Sequence, residues 1–99
     1  MRARVERCRG TPPGTDEVDA RLRAENLRPR SWSNAPGDTY DWHAHDYEKV
    51  LYCVSGGITF HLEDGDVDLR PGDRLEVPPG ARHAATVGPE GVRCIEAAR

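Results

Sequence analysis

From Thr39 to the carboxy terminus, apolar and polar residues alternate in short runs broken by Gly, Pro and Asp. Such runs predict strands at about Thr39–His45, Lys49–Ser55, Ile58–Glu63, Asp66–Leu69, Arg74–Val77, His83–Val87 and Val92–Ala97. Gly56-Gly57 reads as a hairpin turn, because paired glycines accept the positive φ values of two-residue β-turns. Asp64-Gly65 predicts a second hairpin and Pro71-Gly72-Asp73 a third turn. In the Lys49–Ser55 run, Val50, Tyr52 and Val54 oppose Leu51 and Cys53, so both faces of that strand are apolar. A helix, the amino-terminal segment or a second subunit must cover the outer face, and a homodimer is one expectation.

Upstream the pattern changes. Residues 1–14 carry Arg2, Arg4, Arg7 and Arg9 followed by Pro12, Pro13 and Gly14, and read as an arm, mobile or extended at a sheet edge. Thr15 or Asp16 can cap a helix running from about Asp16 to Asn26, with acidic residues in its first turn and arginines towards its end, as the helix dipole favours. Its apolar stripe of Val18, Ala20, Leu22, Ala24 and Leu27 is thin, which places it on the outside of a β-core. Pro29 to Asp38 reads as a connecting loop anchored by Trp32. The expected organisation is therefore an arm over 1–14, a helix and loop over 15–36, and a β-barrel over 37–99.

At 99 residues the chain has room for one core. The 36% hydrophobic content suffices for a barrel that buries one face of each strand, and ten glycines with eight prolines favour many turns over long helices. A net charge of −3 offers no basic field for a phosphate backbone, so nucleic acid is not expected as a partner. No apolar run approaches the roughly 20 residues of a membrane span and the first ten residues are charged, which predicts a cytoplasmic protein without membrane association. Cys8, Cys53 and Cys94 are odd in number and lack C-x-x-C spacing, so reduced thiols are expected, with Cys53 a small core hydrophobe.

The candidate chemistry lies in the histidines. Residues two apart on a strand face the same way, so His43 and His45 can offer two imidazoles to one ion. His83, after the Pro78-Pro79-Gly80 turn, opens a strand that can return beside them as a third ligand. Imidazoles suit a divalent transition metal (Fe, Ni, Zn, Mn or Cu) better than Mg or Ca, and three protein ligands leave a position open for water, dioxygen or substrate. A lone H-x-H pair on a strand is weak evidence, since most such histidines lie at the surface or are satisfied in a core.

Gly37-x5-His43-x-His45 with Gly56, and Gly72-x5-Pro78-x-Gly80-x2-His83, resemble the two motifs of the cupin superfamily. The resemblance implies an all-β, double-stranded β-helix (jelly-roll) barrel, often dimeric, with a divalent metal held by two histidines and a glutamate of the first motif and one histidine of the second. Two positions depart from it. Lys49 stands where the glutamate is expected, with Glu48 one place earlier, and Val87 replaces a structural asparagine. On regular alternation Lys49 points inward and Glu48 outward, unless a bulge shifts the register. An inward ammonium would weaken metal affinity, lose its proton or pair with an anionic substrate.

Three arrangements follow: a three-histidine centre without carboxylate, similar to the thiol dioxygenase branch of the cupins; a His3Glu set completed by Glu48; or a barrel without tight metal that binds a small anion. Tyr47 shares the parity of the histidines and either donates to a ligand or closes the barrel rim; Tyr40 and Trp42, on the opposite parity, read as packing residues, and His61 faces out. The function classes expected are a metal-dependent dioxygenase or isomerase acting on a small polar metabolite, and a non-enzymatic ligand-binding or regulatory protein.

Overall fold

The computed structural model describes residues 2–99. Its elements in chain order are β1 (Arg4–Glu6), α1 (Thr15–Ala24), β2 (Arg30–Asn34), β3 (Thr39–His43), β4 (Lys49–Leu62), β5 (Gly65–Leu69), β6 (Arg74–Val77) and β7 (His83–Ala98). All strand pairs are antiparallel. The long strands β4 and β7 pair along their whole length, and each carries different neighbours on its two halves. The first half of β4 pairs with β6 and the second with β5, while β7 pairs first with β3 and then with β2. Bent at their centres, the two strands close the sheet into the expected jelly-roll barrel.

That bend corrects two expectations. Gly56-Gly57 is not a hairpin: β4 runs through it, and the ladder to β7 shifts register between Cys53 and Ser55 and again between Gly56 and Ile58. Gly56 is required because the strands approach closely here. A Cβ on Gly56, whose φ is +71°, would lie 2.0 Å from the Gly91 carbonyl oxygen. The runs His83–Val87 and Val92–Ala97 are likewise one bulged strand.

Two segments read as loop and arm also join the sheet. Arg30–Asn34 pairs with Val92–Glu96 as β2, and Arg4–Glu6 pairs with Arg74–Glu76 as β1. Asp73 holds the arm further along, accepting the Cys8 N–H at 2.9 Å and the Arg7 guanidinium at 2.8 Å. Burial alone would raise the Asp73 pKa, but the hydrogen bonds from Cys8, Arg70 and Arg7 outweigh it and hold the group below its usual range.

The helix is shorter than expected and begins differently. Gly14 is its N-cap, with no side-chain cap, where Thr15 or Asp16 had been the candidates. It ends in a Schellman motif: Asn26, at φ +63°, donates to the Arg23 carbonyl at 2.9 Å, and Leu27 donates to Leu22 at 3.0 Å. Leu27 thereby joins Val18 and Leu22 against Val50, Tyr52, Ile95 and Ala97. This helix covers the outer apolar face of β4, so that face no longer argues for a second subunit. Leu51, Cys53, Phe60, Leu75, Ala85 and Cys94 are among the residues that fill the barrel interior.

Candidate metal centre

The three motif histidines meet at one end of the barrel. His43 closes β3 and His83 opens β7, and the two are direct register partners. His45 lies just beyond β3, where its carbonyl accepts the Gly80 N–H at 2.8 Å. That bond ties the Pro78-Pro79-Gly80 turn to the first motif and sets where β7 begins. The ring centroids lie 4.9 Å (His43 to His45), 4.3 Å (His43 to His83) and 5.2 Å (His45 to His83) apart, and one nitrogen from each ring falls within 4.8 Å of the others.

The ring protons are directed by the backbone. His43 Nδ1 lies 2.7 Å from the Asp41 carbonyl and His83 Nδ1 2.9 Å from the Ala81 carbonyl. A carbonyl can only accept, so each Nδ1 carries the proton and each Nε2 keeps its lone pair. Nε2 of His45 and Nε2 of His83 are buried with no hydrogen-bond partner. Burial, reinforced by the positive charge of Lys49 and His43, lowers the His45 pKa; burial likewise lowers that of His83, against its bond to Ala81 and with the neighbouring cations adding to the effect. Both imidazoles are therefore neutral at pH 7, the form that ligates a metal. Orphaned lone pairs, backbone-anchored tautomers and neutral rings fit a transition metal ion.

Lys49 points inward. The β4 ladder is regular from Lys49 to Tyr52 against β6 and from Lys49 to Cys53 against β7, so no bulge rotates Glu48 into the barrel. Glu48 instead accepts Arg99 Nε at 2.6 Å on the outer side. Tyr47 touches the cluster by stacking on His45, with ring centroids 4.7 Å apart. His61 is outside it, between Asp66 and Thr86, each at 2.9 Å.

A cavity of about 260 Å³ opens beside the histidines. Its polar wall holds a pair that the sequence reading missed: Lys49 Nζ lies 3.2 Å from Glu96 Oε1, which also accepts the Trp32 indole N–H at 2.6 Å. Glu96 follows Val92 and Cys94 on the inward parity of β7, which was the available signal. Trp32 was hidden because its segment read as loop. Tyr40, expected to be a packing residue, lines the cavity while remaining 40% exposed, and Trp42 is 46% exposed under Arg82. The register shift between Tyr40 and His43 is what brings Tyr40 to the cavity alongside His43.

The family model described as Cupin domain matches residues 31–97. The chain is a cupin. Among solved structures, "DMSP lyases RdDddP and RnDddQII" match at 34% identity and a TM-score of 0.69, over 74% of this chain. This cupin spans only 38% of that chain's length. An RmlC-like cupin from Shewanella frigidimarina is 28% identical, with a TM-score of 0.66 over 73% of this chain and 64% of its own. A DUF861 family protein from Thermotoga maritima matches nearly end to end, covering 96% of this chain and 97% of its own at 23% identity and a TM-score of 0.65, and shares the fold. No curated protein matches the chain.

Proposed function

We propose that this cupin holds one divalent transition metal through His43, His45 and His83, and binds a small polar, anionic metabolite in the adjoining cavity. The observation that carries the reading is the pair of buried, unpartnered Nε2 atoms on His45 and His83, facing a third imidazole. Leaving such atoms unsatisfied costs about 1–3 kcal/mol each, a cost that a bound ion removes. When bound, the metal supplies Lewis acidity and an open coordination position, or a redox centre if it is iron or copper. Its identity among Fe, Ni, Zn, Mn and Cu is left to measurement.

The chain's own residues define the ligand. Lys49 and Glu96 balance each other and the His45 and His83 imidazoles are neutral, so the charge of a bound dication is left for an anionic ligand to compensate. Lys49, paired with Glu96 on the cavity wall, orients the anionic end, while Trp32, Tyr40 and Phe60 surround the body and exclude water. A metal-dependent dioxygenase or isomerase reaction fits this arrangement, and the likeness to a DMSP lyase structure adds elimination to the chemistries worth testing. Lys49 in place of a carboxylate ligand also supports a second reading, a ligand-binding or regulatory cupin without tight metal.

Elemental analysis of protein purified without added metal or chelator separates the two readings, with about one metal per chain expected for the first. Metal-free wild type of intact fold would leave the second. Assays with DMSP, thiols, diketones and sugar acids, with dioxygen uptake recorded, then distinguish enzyme from binder.

A further inference from the structure

Cys53 and Cys94 are separated widely in sequence, yet they are direct register partners on β4 and β7. Both are fully buried, and both side chains lie in the interior cluster, on the same face of the sheet. The backbone bonding decides how near they come. In an antiparallel ladder, facing residues either exchange both hydrogen bonds or exchange neither, and the second kind brings the side chains closer. The Cys53 N–H donates to the Asp73 carbonyl at 3.0 Å, and the Cys53 carbonyl accepts the Gly72 N–H at 2.8 Å. Both backbone groups of Cys53 are thus turned away from β7, so Cys53 and Cys94 form a non-hydrogen-bonded pair. Such pairs have Cα atoms about 4.5 Å apart, inside the roughly 4.4–6.8 Å range that a disulfide spans.

We infer that Cys53 and Cys94 are a latent cross-strand dithiol, which a peroxide oxidises to an internal disulfide joining the two central strands of the barrel. The step balances as two thiols plus one hydrogen peroxide giving one disulfide and two waters. One thiolate attacks a peroxide oxygen to give a sulfenic acid and water, and the second thiol displaces water from that sulfur. The two thiols are differentiated for these roles: the neighbouring Cys94 thiol holds the Cys53 pKa below its usual value, whereas Cys94 is pushed up by Cys53 and by burial. The register shift just after Cys53 provides local slack for the sulfurs to rotate together. The bond would also lie next to the cavity, since Glu96 is the next inward residue of β7 after Cys94.

The test uses the full chain with Cys8→Ser, which removes the half-buried third thiol. After treatment with hydrogen peroxide, the intact mass should fall by about 2 Da and the thiols titratable under denaturation should disappear, with dithiothreitol reversing both. A tryptic digest should contain Val50–Arg74 joined to Cys94–Arg99. Closing a long loop should raise Tm by about 10 °C over the reduced form. Two thiols that persist at peroxide levels oxidising Cys8 in the wild-type chain would overturn the inference. So would a mass gain in oxygen units on either cysteine without the joined peptide.

Discussion

Arg74 and His83 are both buried polar residues on strands that flank β4, and their surroundings are finished in opposite ways. Arg74 donates in bidentate fashion to Glu25 at 2.6 and 2.9 Å, to Glu76 from Nε and Nη2, and to the Tyr52 hydroxyl at 3.0 Å. These five bonds match the five donors of a guanidinium. His83 spends one nitrogen on a backbone carbonyl and aims the other at two more imidazoles, with nothing to receive it. A closed network of charges is what locking α1 to the sheet requires, and it leaves nothing for a ligand. An open cluster of unpartnered imidazole nitrogens is costly to fold and useful only when something fills it.

Removing one member of each cluster separates their roles. His83→Ala should reduce metal affinity by more than about 100-fold while the barrel persists, as metal content and circular dichroism would show. Arg74→Ala should do the reverse, costing about 2–3 kcal/mol in urea unfolding with metal stoichiometry unchanged. That figure is discounted from the range for fully buried pairs because Glu25 is a third exposed.

A smaller effect probes the boundary between the two kinds of cluster, where Lys49 meets Glu96. Lys49→Glu removes a cation near the histidines and should raise metal affinity about tenfold, read by competition with a chromophoric chelator. Unchanged affinity would place the Lys49 charge out of reach of the ion.

The smallest effect is the pH dependence of the metal-free protein. His45 and His83 hold protons less readily when folded than their ordinary value of 6.5 implies, so the unfolded chain binds more protons as pH falls through that region. Tm should therefore drop modestly below about pH 6.5. Glu25, lowered chiefly by its bonds to Arg74, and Asp73 contribute stability above their unfolded values of 4.5 and 3.8, which is lost in more acid solution. Bound metal should flatten the first descent and leave the second.

How much of this was legible in the sequence differs between the two clusters. The histidine site was readable because its residues stand at fixed spacings around tight turns: His43 and His45 two apart, and His83 just after a Pro-Pro-Gly turn whose Gly80 takes a φ of +79°. The Lys49 and Glu48 orientations followed from strand parity alone. Contacts between distant strands were not readable. Glu96 meets Lys49, and Cys53 meets Cys94, only through the register of β4 on β7, which the bulges around Gly56 set. The Gly56-Gly57 pair misled the turn assignment, because the positive φ of Gly56 serves a bulge as readily as a hairpin. β2 and β1 were missed because a strand pairing at a sheet edge needs little apolar alternation of its own.

Isothermal titration of chelator-treated protein with zinc chloride at pH 7.5, in wild type and in His83→Ala, decides whether the three histidines hold a metal. About one zinc per chain is expected for the wild type and no binding for the variant at the same concentrations. A wild type that takes up no zinc, or a variant that binds it equally well, would contradict the reading of His43, His45 and His83 as a metal centre.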